Sequence, residues 1–155
     1  MKRKKGTRTG AEPGARLPDT VRLSAEGLAK VMGDLEARVM RIVWRLEKPS
    51  PARLVHESVV EEHAVALHTV ITVLNKLVAK GLLRRDKVVG VFHYRALYTE
   101  SELRAQASRR VVEGILSLGP EAIAASFVDV MAERDPERLN ELMQLIRRRV
   151  KEGRR

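Results

Sequence analysis

The feature that most constrains this chain is a run of three amphipathic helical segments followed directly by two short β-forming stretches. In each helical segment apolar residues recur at three- and four-residue steps, which is the spacing of one helix face. The three helices are predicted over residues 34–47, 51–62 and 68–80. We expect Asp34 to cap the first helix, Ser50 and Pro51 to begin the second, and Gly81 to end the third.

The apolar residues of the three segments form the predicted core. They are Leu35, Val39, Ile42, Val43 and Leu46, then Leu54, Val55 and Val59, then Val70, Ile71, Leu74, Leu77 and Val78. Residues 82–88 and 91–97 are rich in β-forming residues on either side of Val89-Gly90, and they predict a β-hairpin. Three helices closed by a hairpin are the order of a winged helix-turn-helix domain, which we place at residues 30–98.

Three further helices are predicted after this domain. They cover residues 100–116, 120–133 and 136–151. Thr99 and Glu102 form a capping box before the first of them, and proline marks the start of the other two. The chain is therefore predicted to be mainly α with a small β-hairpin: a winged helix-turn-helix domain followed by a C-terminal helical dimerisation region at residues 99–151.

Charge is distributed unevenly along the chain, whose formal net charge is +10. Residues 1–22, 30–98 and 147–155 each carry a net charge of +5, whereas residues 99–146 carry −4. Basic blocks around a mildly acidic segment are expected when one part of a protein meets a polyanion and another meets protein. The charge pattern favours nucleic acid as one partner and protein as the other.

The two ends of the chain are basic and poor in large apolar residues. We predict a disordered arm at residues 1–29, which either adds phosphate contacts or is a solvated extension, and a short basic tail at residues 152–155. No apolar run approaches the ~20 residues of a membrane span, so we expect a cytoplasmic protein without a membrane partner. The absence of cysteine excludes disulfides and thiolate metal sites.

The face of helix 3 opposite the predicted core carries short hydrogen-bonding groups and one cation. Its members are His68, Thr69, Thr72, Asn75 and Lys76. Threonine and asparagine can reach base edges, and Lys76 is better placed for phosphate. The alternatives are an ordinary solvated face and, for Thr69, a helix N-cap. Two threonines replace better helix formers here, which favours groove contact.

The predicted hairpin carries a cluster of basic residues that is suited to phosphate or minor-groove contact. The cluster contains Arg84, Arg85, Lys87, His93 and Arg95. Each phosphate that such residues neutralise would steepen the salt dependence of binding by about 0.9 log units per log salt. A charged edge strand that prevents aggregation is the alternative for Arg84 or Arg85. Arg53, at the start of helix 2, is a further candidate for DNA backbone contact.

The three C-terminal helices carry apolar stripes that have little core of their own to fill. The candidate dimerisation residues are Val111, Val112, Ile115, Leu116, Ile123, Phe127, Val128, Met131, Leu139, Leu142, Met143 and Ile146. Large exposed apolar patches mark interfaces, and a two-fold dimer would place two recognition helices about one DNA turn apart. The alternative is that this region folds back on its own winged domain.

Two stretches of the sequence resemble the penicillinase repressor family. Residues 33–44 are similar to its "LG-x-LE-x-x-VM-x-x-x-W" opening, and residues 68–83 are similar to its "TV-x-T-x-L-x-RL-x-x-KG-x-L" recognition helix. Tyr94 and Arg95 match the following "Y-x-Y" strand. The resemblance implies a homodimeric repressor of an inverted-repeat operator, with a helical dimerisation tail.

The resemblance also implies roles for particular residues. By carry-over, DNA contacts fall on His68, Thr69, Thr72 and Lys76, and Trp44 is a core residue of helix 1. The paired Cys-x-Cys motifs of copper-responsive members are absent. Members that are inactivated by proteolysis are cut at an Asn-Phe bond, and Arg110-Val111 stands in its place here. The inducing signal, and any protease that carries it, are not identified by a motif.

Three other functions compete with a DNA-binding repressor. A metal-responsive regulator could use His56, His63, His68 and His93, but their spacing completes no ordered ligand set. A winged helix could instead bind protein. An enzyme is least favoured, because the sequence has no phosphate-binding glycine loop, nucleophile elbow or carboxylate pair that predicts catalysis. No cofactor is predicted, and the operator and regulated genes cannot be read from the sequence.

Overall fold

Six helices and a small antiparallel sheet make up the part of the chain that the computed structural model describes, namely Arg16, residues 21–22 and residues 25–154. Along the chain these elements are α1 (Asp34–Leu46), β1 (Ser50–Pro51), α2 (Ala52–Val60), α3 (Leu67–Ala79), β2 (Leu83–Val88), β3 (Val91–Ala96), α4 (Glu100–Leu116), α5 (Pro120–Arg134) and α6 (Pro136–Glu152). The predicted fold class is confirmed, and each predicted helix end lies within two residues of the observed one.

The chain divides into two compact units, Met1–Arg109 and Arg110–Arg155. The division falls inside α4, because the first turns of this helix bury Leu103 and Ala107 in the first unit. The predicted functional boundary between residues 30–98 and 99–151 remains a prediction. No single helix among the described residues is long and apolar enough to cross a membrane, and only α4 and α5 taken together as a bent pair meet that length and composition.

The core of the first unit is aliphatic and is built from α1, α2, α3, the hairpin and the start of α4. Its fully buried side chains include Val39, Met40, Ile42, Val55, Val59, Val70, Leu74, Leu77, Leu82, Leu83 and Leu103. In α3 the buried face differs from the predicted one. Val73 is buried, whereas Ile71 and Val78 are only half-buried. In α1 Ala37 and Met40 are also buried, although helical periodicity did not predict them as core residues.

A short helical turn at Gly27–Lys30 precedes α1 and adds to the core. Leu28 and Ala29 of this turn pack against the core, and Val31 and Met32, which follow it, are buried. Residues 25–29 were predicted to belong to a disordered arm, and the structure shows a folded turn there instead. The rest of the predicted arm, apart from Arg16 and residues 21–22, lies outside the described residues.

The sheet has a third strand that the sequence did not predict. Ser50 pairs with Tyr94 and Pro51 with His93, so the strand order is β1-β3-β2. Ser50 was expected to cap helix 2, but its hydroxyl donates instead to the Lys48 carbonyl oxygen at 2.9 Å, and its side chain is buried. Because the strand pairing takes up Ser50 and Pro51, α2 begins one residue later, at Ala52.

The N-terminus of α1 also differs from the expectation. Gly33 rather than Asp34 is the N-cap, and the Glu36 carboxylate accepts a hydrogen bond from the Gly33 N–H at 3.0 Å. Asp34 instead forms an ion pair with Arg22 at 3.0 Å. At the start of α4 the predicted capping box is confirmed, since the Glu102 N–H donates to the Thr99 hydroxyl and the Thr99 N–H donates to the Glu102 carboxylate.

Candidate nucleic-acid interface

The exposed face of α3 carries the five polar residues that the sequence analysis selected. His68, Thr72 and Lys76 are exposed, and Thr69 and Asn75 are half-buried. We call these five residues the polar stripe. The N-cap of α3 is Ala66, so Thr69 lies within the first turn and is not the cap. The alternative role of Thr69 as a helix N-cap is therefore excluded.

The Thr72 hydroxyl is held in one orientation by its own helix. It donates a hydrogen bond to the His68 carbonyl oxygen at 2.9 Å. A hydroxyl that donates in this way still offers its oxygen as an acceptor, and its methyl group stays exposed on the helix. Thr72 therefore presents a hydrogen-bond acceptor and a methyl group, the pair of groups that can meet an amino group and a thymine methyl in the major groove.

Asn75 connects α3 to the hairpin. Its Oδ1 accepts a hydrogen bond from Arg85 Nη1 at 2.8 Å and from the Tyr94 hydroxyl at 3.3 Å. Bidentate recognition of adenine by asparagine uses both the amide oxygen and the amide nitrogen, and here the oxygen already has two donors. Asn75 is thus placed to position the hairpin relative to the polar stripe, and its predicted contact with a base stays a prediction.

The basic residues of the hairpin lie on two opposite faces, although the sequence analysis treated them as one cluster. The β2–β3 register pairs Arg85 with Tyr94 and Lys87 with Phe92, so these four residues share a face, which we call the inner face. Arg84, His93 and Arg95 are on the other, outer face, together with Asp86. Only the inner face is connected to α3 through Asn75.

The cations of the outer face share one acidic partner. Arg84 Nε lies 3.1 Å and Arg95 Nε 3.6 Å from the carboxylate of Asp86. Exposed pairs of this kind contribute little to stability, but they reduce the local positive potential. The cations of the inner face instead lie over an aromatic ring, with the Arg85 guanidinium carbon 4.5 Å and Lys87 Nζ 5.7 Å from the centroid of Phe92. Phe92 and Asp86 were not among the predicted site residues, although strand alternation places them on different faces of the hairpin.

A partly buried ion pair holds the end of α3 against the start of α1. Lys80 Nζ, just after α3, donates to both carboxylate oxygens of Glu36 at 2.7 Å. Burial alone raises the pKa of Glu36. The hydrogen bonds from Lys80 and the Gly33 N–H, with the charges of Lys80 and Lys76, outweigh this effect and hold its pKa below the ordinary value. The pair restricts the orientation of α3, and hence of the polar stripe.

The remaining candidate site residues are outside the polar stripe. Arg53 is exposed in the first turn of α2. The His56 Nε2–H donates to the Val65 carbonyl oxygen at 2.8 Å, and His93 Nδ1 lies 3.2 Å from the Val91 carbonyl oxygen. Within residues 25–154 and the few described before them, no three histidine or acidic side chains form a group that could hold a metal ion. No observation favours a histidine metal site.

The second unit has no buried side chain among its described residues. All the candidate dimerisation residues are exposed or half-buried, and one groove of about 340 Å³ is lined by Val112, Ile115, Leu116, Ile123, Ala124 and Phe127. Val130 and Leu145, which the sequence analysis did not select, are also about half exposed. Helices with apolar residues on several faces are usually covered by other protein.

Comparison with known sequences gives a consistent result. The sequence profile described as "Penicillinase repressor" matches residues 32–148, most of the chain. The methicillin resistance regulatory protein MecI of Mammaliicoccus sciuri is 26% identical over 94 residues, which cover 61% of this chain and 76% of that protein. The transcriptional regulator BlaI of Mycobacterium tuberculosis is 34% identical over 74 residues, which cover 48% of this chain and 54% of that protein.

Proposed function

The chain belongs to the penicillinase repressor family, and from this membership we propose that it is a DNA-binding transcriptional repressor that acts as a homodimer on an inverted-repeat operator. The observation that carries the proposal is the polar stripe of α3, which adjoins the inner face of the hairpin through the Asn75–Arg85 hydrogen bond. One continuous surface thus offers groups for base edges and cations for phosphates.

The polar stripe divides into groups with different roles in DNA binding. Thr69 and Thr72 are short enough to lie against base edges, and their hydroxyl and methyl groups fit the major groove. His68 and Lys76 are exposed at positions one helical turn on either side of Thr72, where their longer side chains reach phosphates. Arg85 and Lys87 extend this positive surface onto the hairpin, and Arg53 is a further candidate for phosphate contact.

The helical unit supports the homodimer. Since no described side chain of residues 110–154 is buried, the apolar residues of α4, α5 and α6 need a partner to leave water. Burying one large apolar side chain contributes about 1.5–3 kcal/mol, so a groove lined by five such residues and Ala124 is a strong site for association. A second copy of this chain has the same groove and the same uncovered apolar side chains.

The signal that would release the proposed repressor from DNA is left unassigned. Arg110 and Val111 lie inside the continuous helix α4, where a protease would first have to unfold the helix to reach the peptide bond. MecI and BlaI are regulators by name, and enzymatic activity is no part of the proposal.

Genomic footprinting followed by binding assays tests the proposal. We expect a shared inverted repeat that binds two chains. Thr72→Ala should weaken operator binding about tenfold, the loss of one base contact, without changing the salt dependence. Lys76→Ala should lower the slope of log affinity against log salt by about 0.9. Arg41→Ala, an exposed arginine on α1, is the control and should leave both quantities unchanged. Diffuse binding without a shared sequence, or unchanged affinity in both α3 variants, would contradict the proposal.

A further inference from the structure

The tip of the hairpin is apolar, whereas the basic residues of the hairpin lie within its two strands. We define the wing tip as Val88, Val89, Gly90 and Val91. Val88 and Val91 are about half exposed, and Val89 is 98% exposed. Phe92, beside the tip on the inner face, is 40% exposed. An exposed cluster of this kind on a small domain indicates a surface that contacts something else.

The backbone of the wing tip is unfavourable for valine. Val89 has φ of 47° and Gly90 has φ of 80°, and a two-residue hairpin turn with both central φ values positive favours asparagine followed by glycine. Positive φ is a genuine outlier for a β-branched residue. Asparagine at residue 89 would therefore satisfy the turn better than valine does. Backbone strain of this kind at an exposed position points to a role for the side chain in contacts outside the fold.

The surroundings of the wing tip select a polyanion as its partner. Arg85 and Lys87 lie on the inner face next to the tip, over the ring of Phe92. Val88 and Val91 lie on the outer face together with Asp86, the acidic side chain of the hairpin, and the charge of Asp86 is taken up by its ion pairs with Arg84 and Arg95. Through Asn75 the same inner face continues into the polar stripe. In a winged helix bound through its third helix, the hairpin lies along the DNA backbone beside the major groove.

We propose that Val89 is an apolar minor-groove contact of the wing, set against the deoxyribose and base edges of the minor groove that adjoins the major groove occupied by α3. Lys87 and Arg85 hold the phosphates on either side. The inference rests on the proposed function, and it adds a specificity element, because an apolar contact in the minor groove responds to the width and deformability of the DNA there.

Replacement of Val89 by asparagine tests the inference, because it should improve the turn while removing the apolar contact. We expect Val89→Asn to unfold at the same or a higher temperature than the wild type. Its operator affinity should fall about five- to tenfold, with an unchanged salt slope, since no charge is lost. Lys87→Ala should lower both the affinity and the salt slope. Val89→Gly, which also accepts positive φ, should reproduce the loss of affinity.

Val60→Asn is the control, because Val60 is a partly exposed valine at the end of α2, away from the hairpin, and this variant should bind as the wild type does. Hydroxyl-radical footprinting should show minor-groove protection beside each half-site in the wild type, and this protection should be lost in Val89→Asn. Equal affinity and equal protection in wild type and Val89→Asn would overturn the inference while leaving the repressor proposal intact. A change in self-association of Val89→Asn without a change in DNA affinity would assign the tip to a protein contact and would also overturn it. Absence of any footprint from the wild type would instead overturn the repressor proposal.

Discussion

The two units of this chain solve the problem of burying apolar surface in different ways. In the first unit, side chains from α1, α2, α3, the hairpin and the start of α4 converge on one aliphatic core, and many of them are fully buried. In the second unit, α5 and α6 carry comparable apolar residues, yet none of these is buried. The first unit therefore has a core of its own, whereas we infer that the second is completed by another copy.

This difference separates the physical requirements of the two proposed functions. A surface that recognises a DNA sequence has to be rigid. The polar stripe is held in place by the core beneath it, by the Glu36–Lys80 pair and by Asn75. A surface that joins two copies has to leave apolar area uncovered. Substitutions in the first unit should consequently change the free energy of unfolding, and substitutions in the second unit should change self-association.

The largest effect is expected from a cavity in the core of the first unit. Leu77 is fully buried in α3, and Leu77→Ala should lower the free energy of unfolding by about 2–5 kcal/mol, at any protein concentration. Leu118→Ala is the matched control, because Leu118 is 78% exposed in the second unit, and it should change stability by no more than about 0.5 kcal/mol. Urea unfolding measures both. Equal destabilisation by the two variants would erase the contrast between the units.

A smaller effect, of a different kind, is expected from the groove of the second unit. Phe127→Ala should weaken self-association by about 1.5–3 kcal/mol, or roughly tenfold to a hundredfold, because the phenyl ring is lost from the proposed interface. Sedimentation equilibrium gives the dimer constant. Phe92→Ala, which removes an exposed phenylalanine from the first unit, should leave that constant unchanged. If Phe127→Ala self-associates as the wild type does, the groove is not the interface.

The smallest effect is expected from the partly buried Glu36–Lys80 ion pair, and it depends on pH. Glu36→Gln should destabilise the first unit by about 1–2 kcal/mol at pH 7, since it leaves Lys80 without its charged partner. The folded-state pKa of Glu36 lies below the unfolded value. The contribution of the pair is therefore complete at pH values above the ordinary glutamate pKa, about 4.3, and is lost as the pH falls through the folded-state pKa.

Unfolding by urea between pH 7 and pH 3 measures this pH dependence. The difference between wild type and Glu36→Gln should shrink as the pH falls. Asp34→Asn, which breaks the exposed pair with Arg22, is the control and should have an effect near zero at pH 7. A wild-type advantage that grows toward acid would contradict the assigned direction of the pKa.

The features that could be predicted from the sequence are those with local causes. Helical periodicity, Pro120 and Pro136 at helix starts, and the Thr99–Glu102 capping box each depend on neighbouring residues, and the six helices were found within two residues at each end. Val89-Gly90 likewise predicted the turn. The penicillinase repressor resemblance was confirmed, since the profile of that family matches residues 32–148.

Long-range contacts could not be predicted in the same way. The local sequence around Ser50 predicts a helix cap, but Ser50 pairs with Tyr94, which is far along the chain, and so belongs to a strand. Met40 is buried in a core to which Met32 also contributes, and Met32 follows a turn at Gly27–Lys30 in a part of the chain whose composition suggested disorder. Asn75 has a sequence environment typical of a base-reading residue, and only the position of Arg85 shows its link to the hairpin. The two faces of the hairpin were an exception, since strand alternation already contained that information.

Amide hydrogen exchange of the full chain over a dilution series tests the contrast between the two units most directly. We predict that protection in α1, α3 and β3 is independent of protein concentration, because these elements are held by a core within one chain. Protection in α5 and α6 should fall on dilution below the dimer constant, because these helices bury nothing of their own. If α5 and α6 stay as protected in the most dilute sample as in the most concentrated one, the second unit is stable without a partner copy, and the account of this protein as a winged domain joined to a dimerising one is contradicted.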